Sequence, residues 1–233
     1  MKICGIQGVS LIDFPGRITS ILFLGGCNFR CPFCQNRSLV EGYEHLPPID
    51  EDWGLAFLRQ RKGFIEGVEI TGGEPLINGK ELIGFLGRLR ETGLSIKLDT
   101  NGYNTDMLMK ILRKELVDYI AMDIKTSVEK YHIASGRRID ISRILNSIRA
   151  IKESSIKYEF RTTCVPGLVE REDVESIAQL IKGAEQYYLQ QFRPDEPTLD
   201  SSYMKVAPYS KERLEKFRNL AQVYVKSVDI RGI

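Results

Sequence analysis

Apolar runs of strand length alternate with stripes of helical spacing along most of the chain. Residues 18–24, 68–70, 94–99, 118–124, 156–163 and 187–192 are short apolar or alternating runs bounded by turn residues, and each predicts a strand. Between them lie the helical stripes. Trp53, Ala56 and Phe57 follow a capping Asp50, in a helix expected to end near Gly63. Leu82, Ile83, Phe85, Leu86 and Leu89 run up to Gly93, and Leu108, Ile111 and Leu112 follow a capping Asn104. Ile141, Ile144, Leu145, Ile148 and Ile151 form a further stripe, and Val174, Ile177, Ala178 and Ile181 precede Gly183. Such spacings place apolar side chains on one helix face, with Asp or Asn at the N-cap and Gly at the C-cap. A helix over 210–224 and a strand over 225–230 follow. Residues 2–6 and 10–12 are expected to pair as a small hairpin, broken at Asp13-Phe14-Pro15-Gly16.

Strand–helix alternation means a parallel sheet with right-handed crossovers. Six units fall short of the eight that close a full barrel. The expected fold is therefore α/β, a partial (β/α)6 TIM-like barrel open on one side. One domain over 1–233 is expected, with a core over about 17–193 and a C-terminal helix and strand at 210–230.

Composition narrows the classes. With 42% hydrophobic and 27% charged residues in 233, the chain has enough for a sizeable core and an ordinary soluble surface. Its 33 basic and 31 acidic residues nearly cancel, so no nucleic-acid partner and no acidic membrane is indicated. No apolar run approaches the ~20 residues of a membrane span. A start without a signal-peptide pattern and a cluster of thiols that need reducing conditions lead to the expectation of a cytoplasmic protein.

That cluster is Cys27-Asn28-Phe29-Arg30-Cys31-Pro32-Phe33-Cys34, just after the 18–24 run and Gly25-Gly26. Its C-x3-C-x2-C spacing puts three thiols on one loop, with no His or Cys nearby as a fourth ligand. A closed structural zinc site takes four protein ligands, and a cubane iron–sulfur cluster normally takes four cysteines. Three thiolates would leave one iron open to a small molecule. A disulfide framework is disfavoured by the odd count and tight spacing. Cys4 and Cys164 sit in strand-like contexts as small buried side chains. His45 and His132 lie in polar loops, with no partner that would make either a catalytic acid.

Polar residues gather where strands end, which in a parallel barrel is where chemistry collects. Thr71-Gly72-Gly73-Glu74-Pro75 either brings backbone close to a ligand or is a tight strand-to-helix turn. Asp99-Thr100-Asn101-Gly102 either faces a ligand or shapes a turn. The fourth run carries Asp123 and Lys125 at its end, and the fifth ends with Arg161-Thr162-Thr163, where Arg161 is a carboxylate fork or a structural bridge.

The cysteine spacing, with Phe33 just before the third thiol, resembles the radical S-adenosylmethionine (SAM) superfamily. The resemblance implies a [4Fe-4S] cluster on Cys27, Cys31 and Cys34, with S-adenosylmethionine chelating the fourth iron. It also implies reductive cleavage to methionine and a 5′-deoxyadenosyl radical. Asp99-Thr100-Asn101-Gly102, Met122-Asp123-Ile124-Lys125 and Arg161 with Val165-Pro166-Gly167 narrow the likeness to the glycyl-radical-enzyme activating proteins. That likeness implies a cofactor-binding set of Phe33, Gly72, Gly73, Glu74, Asp99, Thr100, Asn101, Asp123, Lys125 and Arg161. Gly72, Gly73 and Glu74 would hold the methionyl amino group, Asp99, Thr100 and Asp123 would surround the methionyl group and a monovalent cation, and Lys125 and Arg161 would contact the cofactor. Leu11-Ile12-Asp13-Phe14-Pro15-Gly16 and Tyr158-Glu159-Phe160-Arg161-Thr162-Thr163 resemble one branch, the activating protein of anaerobic ribonucleoside-triphosphate reductase. The implied partners are that reductase and a flavodoxin or ferredoxin reductant. Two departures stand out: Gln35-Asn36 replaces the commoner His-Asn pair, and Gln190-Gln191-Phe192-Arg193 stands where the family often has His. The alternatives are a small-molecule radical enzyme such as 7-carboxy-7-deazaguanine synthase, and, in another class, a zinc-bound interaction module.

Overall fold

Eight strands form one sheet in strict chain order in the computed structural model, which describes residues 1–233. They are β1 (Ile3–Ser10), β2 (Thr19–Leu24), β3 (Gly67–Gly72), β4 (Ser95–Thr100), β5 (Tyr119–Asp123), β6 (Lys157–Cys164), β7 (Gln186–Gln191) and β8 (Ser227–Arg231). β1 runs antiparallel to β2, and every later neighbour pair is parallel. No ladder joins β8 back to β1, so the barrel has an open side between two free strand edges. The expected six strand–helix units are β2 to β7 with their helices. β8 extends the sheet at one end and β1 at the other.

The hairpin differs from expectation. β1 is one unbroken strand through Ser10 and pairs with β2, Ile3 opposite Leu24 and Ser10 opposite Thr19. The turn residues after Ser10 do not separate two short strands. They carry the chain beneath the barrel, where Phe14 is buried with its ring 5.6 Å from that of Tyr119. Phe14 also stands against Gly67, at the start of β3. The aromatic residue of this turn therefore stoppers the end of the barrel remote from the cysteines.

The helices are α1 (Arg37–Val40), α2 (Glu51–Gln60), α3 (Gly79–Arg90), α4 (Thr105–Arg113), α5 (Tyr131–Ala134), α6 (Ile141–Glu153), α7 (Arg171–Leu180) and α8 (Lys211–Ala221). Their starts follow from local chemistry, since Asp50, Asn104, Asp140 and Ser210 each accept a first-turn N–H. Glu170 and Asp173 form a reciprocal capping box on α7. No helix is long and apolar enough to cross a membrane.

The core lies between sheet and helices. Val68, Ile70, Ile96, Leu98, Ile120, Met122, Phe160 and Leu189 face outward and are buried with Leu82, Phe85, Leu108, Ile148 and Ile177 in one cluster of 49 residues. Because side chains alternate along a strand, the intervening positions face the barrel interior. Those positions include Glu69, Lys97, Asp99, Tyr119, Asp123, Glu159, Arg161 and Arg231, so an apolar jacket surrounds a lumen rich in charge, with Ile21 and Phe23 of β2 as its apolar side.

Candidate active site

A cavity of about 450 Å³ opens at the C-terminal ends of the strands. Cys27, Cys31 and Cys34 form one wall, and Gly72, Gly73, Asp99, Asp123, Lys125 and Arg161 line the rest. Phe33, Glu74, Thr100 and Asn101 also border it, so every residue of the expected set meets at one place.

The cysteine loop is held from three sides. Arg30 N–H donates to the Ser135 carbonyl at 2.8 Å, and the Arg137 guanidinium donates to the Asn28 carbonyl at 2.9 Å. The segment after β7 crosses over the loop, Leu199 N–H on the Cys34 carbonyl and Asp200 N–H on the Pro32 carbonyl, each at 2.9 Å. From the β4 side, Asn101 Nδ2 donates to Asn28 Oδ1 at 2.7 Å. Phe33 packs toward Tyr203 across the same crossing segment, ring centroids 6.4 Å apart.

Burial pushes the Cys31 thiol up to about 12 and the Cys27 thiol up to about 11, and it raises Cys34 as well. The free thiols are therefore protonated, and iron would displace those protons on binding. No three His, Cys, Asp or Glu side chains approach closely enough to hold a single metal ion. The cavity holds three cysteines, no fourth cysteine and no histidine, short of the four ligands of a closed cysteine–histidine zinc site. Cys4 is half-buried and Cys164 fully buried, and neither lines the cavity. His45 and His132 are exposed and lie outside it.

The Gly72-Gly73-Glu74 turn commits two of its backbone donors to the protein. Gly73 N–H bonds the Leu24 carbonyl and Glu74 N–H bonds the Gly26 carbonyl, both at 2.8 Å. A methyl on Gly73 would fall 1.9 Å from the Gly26 carbonyl oxygen, so glycine is required here by the end of β2. What remains is the Gly73 carbonyl, which accepts no protein hydrogen bond and suits an ammonium group. The Glu74 carboxylate is turned into the protein. It accepts from Leu76 N–H (3.0 Å), Thr100 Oγ1 (2.7 Å) and Asn101 N–H (2.6 Å), locking the β3 turn to the β4 turn. Burial pushes Glu74 up to about 7 against those three donors.

The far wall is a lattice of ion pairs. Arg161 places Nη1 on Asp99 Oδ2 and Nε on Asp123 Oδ1, each at 2.8 Å, and Lys125 Nζ sits 3.0 Å from Asp123 Oδ2. Lys97 Nζ is 2.5 Å from Asp99 Oδ1 and 3.1 Å from Glu69 Oε2. One layer lower, Arg231 forks onto Glu159 at 2.7 and 2.9 Å, and Tyr119 OH donates to the same carboxylate at 2.8 Å. Burial opposes the charge on Asp99, but Arg161 and Lys97 hold its carboxyl well below the usual range. Burial likewise opposes the Lys125 charge, and Asp123 keeps the ammonium protonated. Glu69, Lys97 and Arg231 were not singled out by sequence, and Glu159 entered only as part of the branch-like stretch from Tyr158 to Thr163. Only their place at alternate strand positions, opposite the outward apolar ones, could have pointed to them.

Two buried oxygens bordering the cavity lack a hydrogen bond, Glu69 Oε2 and Gln191 Oε1. At the site where the family often has His, Arg193 donates to the Gly232 carbonyl at 3.1 Å and Gln191 Nε2 donates to the Tyr209 carbonyl at 2.6 Å. Three thiols, an open carbonyl, paired carboxylates and cations, and an unpartnered amide oxygen form a donor set that fits an iron–sulfur cluster with an amino-acid-bearing nucleoside.

The pattern of the Radical SAM superfamily matches residues 21–181. The chain is 31% identical to a putative glycyl-radical enzyme activating enzyme, MJ1227, of Methanocaldococcus jannaschii, covering 99% of this chain and 96% of that relative. It is 29% identical to a pyruvate formate-lyase-activating enzyme of Clostridium pasteurianum (78% of this chain, 76% of the relative). It is 26% identical to a 7-carboxy-7-deazaguanine synthase of Thermococcus kodakarensis (84% and 81%). Among solved structures, Streptococcus suis SuiB bound to S-adenosylmethionine superposes with a TM-score of 0.67 at 14% identity. That match covers 91% of this chain but spans only about half (52%) of SuiB.

Proposed function

The chain belongs to the radical SAM superfamily, and from that premise we propose that it is an activating enzyme that removes a Cα hydrogen from a glycine of a partner glycyl radical enzyme. When bound, the [4Fe-4S] cluster and S-adenosylmethionine supply the one-electron cleavage that yields the abstracting deoxyadenosyl radical. The residues around them do the positioning. Cys27, Cys31 and Cys34 would hold three irons, the Gly73 carbonyl would accept from the methionyl ammonium, and Lys125 and Arg161 would orient the methionyl carboxylate. Asp99 and Asp123 would keep those two cations in register. Both Asp99 oxygens are taken by Lys97 and Arg161 and Thr100 Oγ1 is held by Glu74, so the expected monovalent cation would have to find its ligands elsewhere. Phe33 and Gln191 would flank the nucleoside.

One observation carries the choice of substrate class. Beneath Asp99 and Arg161 the β4–β8 side of the lumen is filled by Lys97, Tyr119, Glu159 and Arg231, and the cavity continues downward only along β1–β3, past Gln7, Ile21 and Glu69 to Asp13 beside the Phe14 stopper. A cavity of about 450 Å³ lies at the small end of the range for one drug-sized ligand, so the cofactor takes most of it. A second substrate must then reach the cofactor from the open side between β1 and β8, which suits a loop of another protein. The relatives named as activating enzymes support the same reading. The partner we favour is anaerobic ribonucleoside-triphosphate reductase, on the likeness of Leu11 to Gly16 and of Tyr158 to Thr163 to that branch. The electron would come from a flavodoxin or ferredoxin.

The test mixes reduced protein and S-adenosylmethionine with an anaerobic ribonucleotide reductase deuterated at glycine Cα. Deuterium in 5′-deoxyadenosine, together with a glycyl radical signal on the reductase, is the expected outcome. Transfer only from a pterin-type or purine precursor would instead favour the reading suggested by the 26% identical 7-carboxy-7-deazaguanine synthase.

A further inference from the structure

Lys97 has an uncommon position for a lysine. It is fully buried, it does not border the cavity, and its ammonium lies between Glu69 and Asp99. Burying such a charge is costly unless it is closely paired, so its presence asks for a role that a packed apolar side chain would not fill.

The pairing it makes is the foot of a continuous series. Lys97 holds Asp99 Oδ1, Arg161 holds Asp99 Oδ2 and Asp123 Oδ1, and Lys125 holds Asp123 Oδ2. Charge alternates at every step, from a residue that no ligand can touch to one at the cavity wall beside the cysteines. Both oxygens of Asp99 are thereby committed, one to each cation. If Lys97 were neutral, Asp99 would be free to turn both oxygens toward Arg161. The guanidinium would then leave its shared position between Asp99 and Asp123, and Lys125 would follow Asp123.

We propose that Lys97, backed by Glu69, is a positioning residue for S-adenosylmethionine: it sets the rotamer of Asp99 and, through Arg161 and Asp123, the places of the two cations that receive the cofactor's carboxylate. This rests on the reading of the cavity as the S-adenosylmethionine site. It differs from a purely structural role in what it predicts. The lower ion pair of Glu159 with Arg231 is part-exposed on the Arg231 side and joins the series only through a 4.0 Å contact with Arg161. Loss of Lys97 should therefore act on the cofactor, beyond any effect on folding.

The test uses the full chain with its cluster reconstituted, and three proteins: wild type, Glu69→Gln and the double variant Lys97→Met/Glu69→Gln. The second substitution removes the acid that would otherwise lose its Lys97 partner and could ionise alone in the core. Two readouts apply, the equilibrium dissociation constant for S-adenosylmethionine and the change that it causes in the electron paramagnetic resonance spectrum of the reduced cluster. The double variant should load iron as the wild type does and show the same spectrum without cofactor. It should bind S-adenosylmethionine at least about tenfold more weakly and show a displaced cofactor-induced change. Glu69→Gln, which keeps Lys97 on Asp99, should weaken binding less than the double variant does; an equal loss in both would overturn the role of Lys97. Unchanged affinity and an unchanged spectral shift in the double variant would overturn the proposal while leaving the site reading intact. If wild type itself neither binds S-adenosylmethionine nor changes its spectrum, the site reading fails instead. Should the double variant not fold, Lys97→Arg serves, because it keeps the charge but moves it. A displaced cofactor-induced spectrum supports the positioning role, and a wild-type spectrum overturns it.

Discussion

At the scale of single residues, the chain separates its five cysteines by environment. Cys27, Cys31 and Cys34 border the cavity, whereas Cys4 lies against Tyr43 and Gly25, and Cys164 is buried in the jacket. Each thiolate that holds an iron is irreplaceable by its neighbours, because no fourth ligand stands nearby to take over. Alanine at 27, 31 or 34 should therefore abolish S-adenosylmethionine cleavage and deplete iron, measured anaerobically by product formation and by metal and sulfide content. Alanine at 4 or 164 should leave cleavage intact, with a stability loss at 164 in keeping with a small cavity. Wild type should approach about four irons per chain, the cubane stoichiometry; a cleavage-competent Cys31→Ala protein would remove the cluster from this loop. The three thiols were legible because their spacing is local in sequence. Glu74 was legible as part of a motif but not in its orientation, since whether a carboxylate faces a ligand or clamps Thr100 and Asn101 depends on how two distant turns meet.

At the scale of elements, the strands and most long helices were legible because the jacket side alternates or repeats with a clear period and the caps are of ordinary type. The exception is α2, whose expected face of Trp53, Ala56 and Phe57 lies outward while Gly54, Leu55 and Leu58 are buried, because Trp53 and Phe57 stack on each other at the surface. The first strand was misread because Ser10 and the turn residues after it imitate a hairpin of their own, and only the pairing of β1 with β2 shows otherwise. Short elements such as α1 and α5 carry too few residues for a period to show, yet α5 matters, because the turn after it clamps the cysteine loop. A methyl on Gly136 would fall 1.9 Å from the Arg30 carbonyl oxygen, and Gly136 has a φ of +65°. Backbone cannot yield as a side-chain tip can, so Gly136→Ala should push the 135–137 turn off the loop that bears Cys31. The expected result is faster loss of iron under a chelator, with secondary structure unchanged by circular dichroism. The control is Gly84→Ala, in the middle of α3 with nothing within 4 Å. It should leave iron retention alone and raise unfolding free energy by about 0.5–1 kcal/mol, as expected for alanine over glycine in a helix. Equal iron retention in both variants would show that the 135–137 turn is not what holds the loop.

At the scale of the whole molecule, the unusual feature is a barrel whose inside is charged. The sequence could not announce it, because Glu69, Lys97, Glu159 and Arg231 occupy alternate strand positions that read equally well as solvent-facing. They face inward only because the sheet curls around them and Phe14 stoppers one end. Buried charges of this kind tie stability to pH. Burial, then the neighbouring Asp99 carboxylate, push Glu69 above its ordinary value of 4.5, up to about 9, against the pull of Lys97. A raised carboxyl pKa means that the folded chain holds this proton more tightly than the unfolded chain. The stabilisation it brings is full below about 4.5 and is lost as pH climbs toward 9. Glu69→Gln keeps the shape of the protonated acid but cannot ionise in either state, so it lacks that dependence. Denaturant unfolding of the two proteins at a series of pH values isolates the term, since all other groups are shared. The variant should gain on wild type as pH rises through this window, by at most about 1.4 kcal/mol per pH unit. A difference that stays flat with pH would mean that Glu69 is ionised throughout and that its pairing with Lys97 outweighs burial. Folded and unfolded chains would then both be ionised across the window, and any gain of wild type with rising pH would be confined to pH below about 4.5, where a depressed folded pKa acts.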